Sequence, residues 1–139
     1  MDGRAFLQSA RELLAAPSEA NWRSATGRAY YALLHEGRAV LDRWGFPLPP
    51  REDVHRFVRL RFNFGSNPDV AAVGRTLDDL SQWRNQADYQ LGSPGIFVSD
   101  ARATSASRLA QTAIALLDAI DADPARRAAV IAAMRAAWP

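Results

Sequence analysis

The segment Leu80–Leu91, with the sequence LSQWRNQADYQL, continues an apolar stripe that begins upstream. The stripe consists of apolar residues at alternating steps of three and four, which share one face of a helix: Val70, Val73, Leu77 and Leu80. The same steps lead on to Arg84, Ala87 and Leu91. An arginine therefore occupies a helix face that otherwise has the pattern of a hydrophobic core.

Arg84 is the residue of this segment whose surroundings need an explanation. A guanidinium keeps its charge at neutral pH, so on a buried face it requires a partner or a water-filled cleft. Asp88 follows four residues later, which is within side-chain reach on a helix. The spacing favours an ion pair within the chain, with Trp83 entering the core instead. A binding site for an anion is the alternative.

Length and composition limit the class of protein. At 139 residues the chain is long enough for a single domain, over residues 1–139, with a substantial core. It contains no cysteine, which excludes a disulfide framework, a thiolate metal site and a cysteine nucleophile. No apolar run approaches the roughly 20 residues of a membrane helix, and no secretory signal follows Met1. We therefore expect a cytoplasmic protein without a membrane span.

The basic residues are unusual in kind rather than in number. The formal net charge is +2, which by itself does not indicate a nucleic-acid-binding protein. All 17 basic residues are arginine, a bias that a GC-rich genome would also produce. Each guanidinium offers a planar fork of donors that matches a phosphate group. Any positive patch on the folded protein is therefore suited to phosphate.

Helical periodicity covers nearly the whole chain, and no stretch alternates with period two. The sequence therefore predicts an all-α fold, an antiparallel (up-and-down) bundle of five to six helices with short connections. The predicted helices cover about residues 2–16, 18–45 and 52–62, and three more begin at Asp69, at a Ser99 cap and at Asp123–Pro124. Ser18 is expected to cap the second helix, and a left-handed Gly45 to end it. The last helix carries four apolar residues: Val130, Ile131, Met134 and Trp138.

The long second helix has two distinct faces. Its predicted core face consists of Tyr30, Leu33, Gly37, Val40, Leu41 and Trp44. A second, polar stripe consists of Ser24, Arg28, Tyr31, His35, Arg38 and Asp42. Such a stripe is usually a solvated surface, but a solvated surface has no need of Tyr and His between arginines. The stripe is therefore a candidate for binding a phosphate or a stacked base, or for pairing with a second subunit.

Three stretches of this sequence, in the same order, resemble motifs of small HEPN-domain proteins. They are GRAYYALLHEGRAVL at Gly27–Leu41, His55 followed by Phe57, and RNQADY at Arg84–Tyr89. Order and spacing agree over roughly Ala5–Ile120, which is most of the chain. The resemblance implies a helical bundle that commonly forms a homodimer, with a site near the two-fold axis built from the arginine motif.

Many HEPN proteins are metal-independent RNases of toxin or defence systems, and the resemblance implies their site residues for this chain. It places Arg84 and Asn85 at the first two catalytic positions, and Tyr89 where the RNases commonly have a histidine. A phenol, with an ordinary pKa near 10, is a poor base at neutral pH. We therefore expect the nuclease motif to be degenerate, unless the fold brings His35 or His55 to Arg84.

The sequence supports three functional hypotheses, in this order. The first is a homodimeric HEPN-like protein of a toxin–antitoxin or defence-type system that binds RNA or a nucleotide. Its expected binding residues are Arg28, Tyr31, His35, Arg38, His55 and Asp88. The second is an active metal-independent RNase toxin, and the third is a non-catalytic interaction module for a nucleotidyltransferase partner. The sequence has no Gly-rich phosphate loop, no histidine pair at metal spacing and no nucleophile elbow, so we expect no metal and no cofactor.

Overall fold

The computed structural model describes residues 1–64, 67–92 and 95–137, without the side chain of Glu52. These residues form six α-helices: α1 (Arg4–Leu14), α2 (Glu19–Arg43), α3 (Val54–Asn63), α4 (Pro68–Tyr89), α5 (Ala101–Ala122) and α6 (Pro124–Ala137). A 3-10 turn, Arg51–Asp53, precedes α3, and none of the described residues lies in a strand. The predicted all-α helical bundle is therefore confirmed.

Three of the predicted helix ends are present with their hydrogen bonds. The Ser18 hydroxyl accepts a hydrogen bond from the Asn21 amide at 3.1 Å and caps α2. Gly45 has a φ of 84°, the left-handed conformation expected just after the end of α2. The Asp123 carboxylate accepts from the Arg126 amide at 3.1 Å, with Pro124 as the first residue of α6.

Other helix ends differ from the prediction by one to three residues. α4 begins at Pro68, one residue before the predicted Asp69, because the Asn67 side-chain oxygen accepts from the Asp69 amide at 2.9 Å and caps the helix. The N-cap residue of α5 is Asp100, one residue after the predicted Ser99. The Ser99 hydroxyl accepts a hydrogen bond from the Ala101 amide at 3.3 Å. The third helix begins as the 3-10 turn, and α1 is shorter at both ends than predicted.

The core lies around α2, which packs against α1, α3, α4 and α5. The whole predicted core face of α2 is buried, and so is the upstream stripe of α4. Tyr30 and Phe62 are the largest side chains with almost no exposure. None of the helices in the described ranges combines the length and the apolarity that crossing a membrane requires.

The predicted continuation of the α4 stripe holds only in part. Ala87 is buried, but Leu91 lies beyond the end of α4 and is 70% exposed, so its assignment to the core face was wrong. The periodicity continues past the point where the helix ends. In α6, Val130 and Met134 are buried as expected, whereas Trp138 lies outside the described residues.

Candidate functional site

Gly27 is the residue of α2 that lies against Arg84 and Asp88, near the end of α4. A Cβ atom built on Gly27 would lie 3.7 Å from Cγ of Arg84 and 3.9 Å from Oδ1 of Asp88. Arg84 and Asp88 of α4 therefore lie beside the polar stripe of α2 at Gly27. Arg28 and Tyr31 lie next to them on α2 and line the same groove as Asp88.

Arg84 lies against two adjacent aromatic rings. Its side chain is 17% exposed, and its guanidinium carbon lies 5.3 Å from the ring centre of Tyr30 and 5.7 Å from that of Tyr31. The expected ion pair is present, but Nη1 of Arg84 is 3.8 Å from Oδ2 of Asp88, which is too long for a hydrogen bond. Nε of Arg84 is buried and has no hydrogen-bond partner among the described residues. Trp83 packs against the core in a partly buried position, as expected.

His55 joins the same cluster from α3. Its Nδ1 lies 2.9 Å from the hydroxyl of Tyr30, the tyrosine whose ring faces Arg84. Burial, and then the charge of Arg84, lower the pKa of the His55 imidazole, so it is neutral at pH 7. Burial raises the pKa of Tyr30, which therefore keeps its proton.

His35 reaches the cluster from α2. Its ring stacks on Phe6 with 5.2 Å between ring centres and lies 6.3 Å from Tyr31. Tyr31 in turn is 6.2 Å from the His55 ring, measured between centres, in an edge-on arrangement. Burial, and then the neighbouring Arg38 charge, lower the pKa of His35. The fold thus gathers both histidines of the chain and Arg84 around one pair of tyrosines, which the sequence alone left open.

The residues of the polar stripe of α2 line two surface hollows. The smaller has a volume of about 240 Å³ and is lined by Ser24, Gly27, Arg28, Tyr31 and Asp88. The larger has a volume of about 570 Å³, and its lining includes Gly3, Arg4, His35, Arg38 and Asp42. All six residues of the stripe therefore line one hollow or the other, and the ring contact between Tyr31 and His35 connects them.

The resemblance implies three catalytic positions, Arg84, Asn85 and Tyr89, and the last two lie apart from this cluster. Asn85 is exposed, and Tyr89 is 74% exposed at the last position of α4. Each residue of a helix is rotated by about 100° from the one before, so neither shares the face of Arg84. Within one chain, the structure groups Arg84 with Tyr30, Tyr31 and the histidines rather than with Asn85 and Tyr89.

Arg23 is a functional candidate that sequence reasoning missed. It is only 8% exposed, and its Nη1 donates to the Ala87 carbonyl at 2.9 Å and the Gln86 carbonyl at 3.2 Å. Its guanidinium also stacks on Phe97, 4.5 Å from the ring centre. Arg23 therefore holds the last turn of α4, which carries Asp88. No local signal could have revealed this, because the acceptors lie more than 60 positions away in the sequence.

No group of three or more His, Asp or Glu side chains in the described ranges is arranged to hold a metal ion.

Comparison with protein-family models, with curated proteins and with solved structures finds no match for this chain. The resemblance to HEPN proteins therefore rests on the three sequence motifs alone.

Proposed function

We propose that this protein is a HEPN-like homodimer that binds RNA or a nucleotide through the face formed by α2 and α4. The observation that carries the proposal is the state of Arg84. Its guanidinium lies against the rings of Tyr30 and Tyr31, its Nε lacks a partner, and its carboxylate neighbour is too distant for a hydrogen bond. A guanidinium that is held in place with unused donors is suited to bind a phosphodiester.

The surroundings of Arg84 favour a nucleotide over a simple anion. Arg28 is exposed on the rim of the smaller hollow and adds a second positive charge. Tyr31 and His35 offer ring faces on which a base can stack. Both histidines are neutral at pH 7, because burial lowers the pKa of each imidazole, so they add ring surface to the site without adding charge.

The homodimer is part of the same proposal. Three large apolar side chains near the end of α4 and in the segment that follows it are 70–74% exposed: Tyr89, Leu91 and Val98. A second copy that covered these side chains would remove apolar area from water, which favours association. A second copy on this face would also bring its Asn85 and Tyr89 closer to the shared two-fold axis that the resemblance implies. A role in a toxin–antitoxin or defence-type system, with a nucleotidyltransferase as a possible partner, follows from the resemblance only.

A second candidate is an active metal-independent RNase, and one observation favours it. His55 lies 2.9 Å from the hydroxyl of Tyr30, beneath the ring pair that holds Arg84. A neutral imidazole can accept the proton of a ribose 2′-hydroxyl, which the phenol of Tyr89 does poorly. We rank this candidate second because the imidazole nitrogen that faces the cluster is already hydrogen-bonded to Tyr30.

The test compares two arginines of α4. Arg84→Met removes the proposed phosphate ligand, and Arg75→Met removes an equal charge from an exposed position on the same helix. Fluorescence anisotropy with a short single-stranded RNA should show at least about tenfold weaker binding for Arg84→Met and little change for Arg75→Met. The salt dependence of binding should fall by about 0.7 in logarithmic slope for Arg84→Met. Equal affinities of both variants and wild type would contradict the proposal.

A further inference from the structure

Gly27 lies in the interior of a long helix where packing does not require a glycine. Glycine destabilises a helix interior relative to alanine, so its presence needs a reason. At two other helical glycines, close packing is the reason. A Cβ atom on Gly37 would lie 3.1 Å from the Phe62 ring, and one on Gly74 would lie 2.7 Å from the backbone nitrogen of Asn63. At Gly27 the nearest atoms would be 3.7 and 3.9 Å away, which is ordinary contact. An alanine would fit there without displacing a neighbour.

An alanine at position 27 would instead fill part of the smaller hollow. Gly27, Arg28 and Tyr31 all line that hollow. Its volume of about 240 Å³ is below the roughly 300–1,000 Å³ of a pocket for a drug-sized ligand. The hollow is therefore sized for one flat ring system rather than for a complete nucleotide.

Asp88 gives the hollow a chemical preference. Its side chain is 40% exposed, and its Oδ1 is the oxygen that lies nearest to the open side of Gly27. Its Oδ2 faces Arg84 at a distance longer than a hydrogen bond, so both oxygens keep lone pairs for a ligand. A carboxylate accepts hydrogen bonds only, so it selects a ligand edge that carries donors.

We propose that the hollow above Gly27 is a subsite for one unpaired guanine base of the bound RNA or nucleotide, recognised by Asp88. The subsite rests on the proposed RNA- or nucleotide-binding function. Guanine presents two adjacent donors, N1–H and the N2 amino group, and both can bond to one carboxylate. Adenine and cytosine present one donor beside an acceptor, and uracil presents one donor between two acceptors, so each leaves an acceptor facing the carboxylate.

The neighbouring side chains complete the subsite. The ring of Tyr31 can stack on the base, and Arg28 in the lining and Arg84 against Tyr31 offer positive charge to the attached phosphate. Arg84 and Asp88 both lie beside Gly27, at distances of ordinary contact from a Cβ built there. Gly27 and Asp88 are therefore specificity-determining residues, and Arg84 is the phosphate ligand.

The experiment measures binding of two five-nucleotide single-stranded RNAs, UUGUU and UUAUU, which differ only in the central base. Wild type should bind UUGUU about tenfold more tightly, because a bidentate contact discriminates between bases. Asp88→Asn offers one acceptor and one donor, so the preference should disappear. Gly27→Ala should weaken binding of UUGUU at least about fivefold and leave UUAUU nearly unchanged, while the melting temperature rises.

Gly92→Ala is the matched control for the alanine substitution. Gly92 lies outside the hollow, and no atom comes within 4 Å of a Cβ built there. Affinity for both RNAs should be unchanged in this variant.

The outcomes separate the subsite from the proposed function. If both RNAs bind equally to wild type and Arg84→Met weakens both, the proposed function stands and the guanine subsite is overturned. If neither RNA binds wild type at millimolar concentration, the proposed function and the subsite both fail. If Gly27→Ala lowers the melting temperature, packing explains the glycine and the subsite is overturned.

Discussion

Arg23→Met is the substitution whose effect on stability the structure defines best. Methionine keeps the aliphatic volume of the side chain but removes every donor. Nη1 of Arg23 makes two short hydrogen bonds, at 2.9 Å to the Ala87 carbonyl and at 3.2 Å to the Gln86 carbonyl, and a longer one of 3.4 Å to the Gln90 carbonyl, while Nη2 donates to the Leu91 carbonyl at 3.4 Å. All four acceptors are backbone carbonyls in the last turn of α4 or directly after it. The substitution leaves them without this partner.

The expected loss follows from these contacts. A hydrogen bond from a charged group contributes about 1.5 kcal/mol or more, so the two short bonds contribute about 3 kcal/mol. Stacking on Phe97 adds about 0.5–1 kcal/mol, and the relief of burying a charge offsets a similar amount. We therefore expect the free energy of unfolding to fall by about 3 kcal/mol. For a domain of this size the melting temperature should fall by about 10 °C.

The assay is urea denaturation followed by circular dichroism, together with hydrogen exchange of the last turn of α4. Arg23→Met should shift the urea midpoint without changing the slope, and the Gln90 amide, which donates to Gln86, should exchange faster. Glu19→Gln is the control, because Glu19 pairs with Nε of Arg23 but is 58% exposed, and its loss should be below about 1 kcal/mol. A loss below about 1 kcal/mol for Arg23→Met would refute this account of how α4 ends.

Asp88→Ala should lower the free energy of unfolding by only about 1 kcal/mol, because its pair with Arg84 is long and partly exposed; a loss above about 3 kcal/mol in urea would indicate a tight buried pair. Burial lowers the pKa values of His35 and His55 below 6.5, so the unfolded chain binds protons more tightly. The stability that they contribute is present above pH 6.5 and is lost as the pH falls through the folded values. The melting temperature of a double His→Gln variant should therefore fall less than that of wild type between about pH 8 and about pH 5.5, and equal slopes would exclude this cause. Light scattering at micromolar concentration should give the mass of a dimer, and a monomer mass would contradict the proposed homodimer. Purified protein should cleave a structured RNA little, with or without EDTA; strong cleavage that Arg84→Ala abolishes would instead make this protein an RNase that uses His35 or His55.

Local sequence predicted the helices and most of their ends. Ser18 and Asp123 cap helices because a side-chain oxygen can reach an amide a few residues later, and this depends on neighbouring residues only. The one-residue error at the start of α4 is also local, since the Asn67 side-chain oxygen accepts from the Asp69 amide and the helix begins at Pro68. The error at Leu91 is different, because periodicity continues in the sequence after the α4 hydrogen bonds have ended.

The sequence alone also indicated which residue of α4 departs from the core pattern, but not what lies around it. Arg84 interrupts an otherwise apolar stripe, and Asp88 follows at the spacing that allows an ion pair. The length of that pair and the unused Nε depend on how closely α2 approaches. α2 faces both side chains at Gly27, 57 positions before Arg84 in the chain.

The amino-acid sequence by itself therefore determined the helices, their apolar faces and the polar stripe of α2, because periodicity and capping act within a few residues. Only the tertiary structure decided that His55 meets Tyr30, that Arg23 ends α4 and that Gly27 opens a hollow beside Asp88. Each of these contacts joins two helices, and the crossing of two helices depends on how all their side chains pack together.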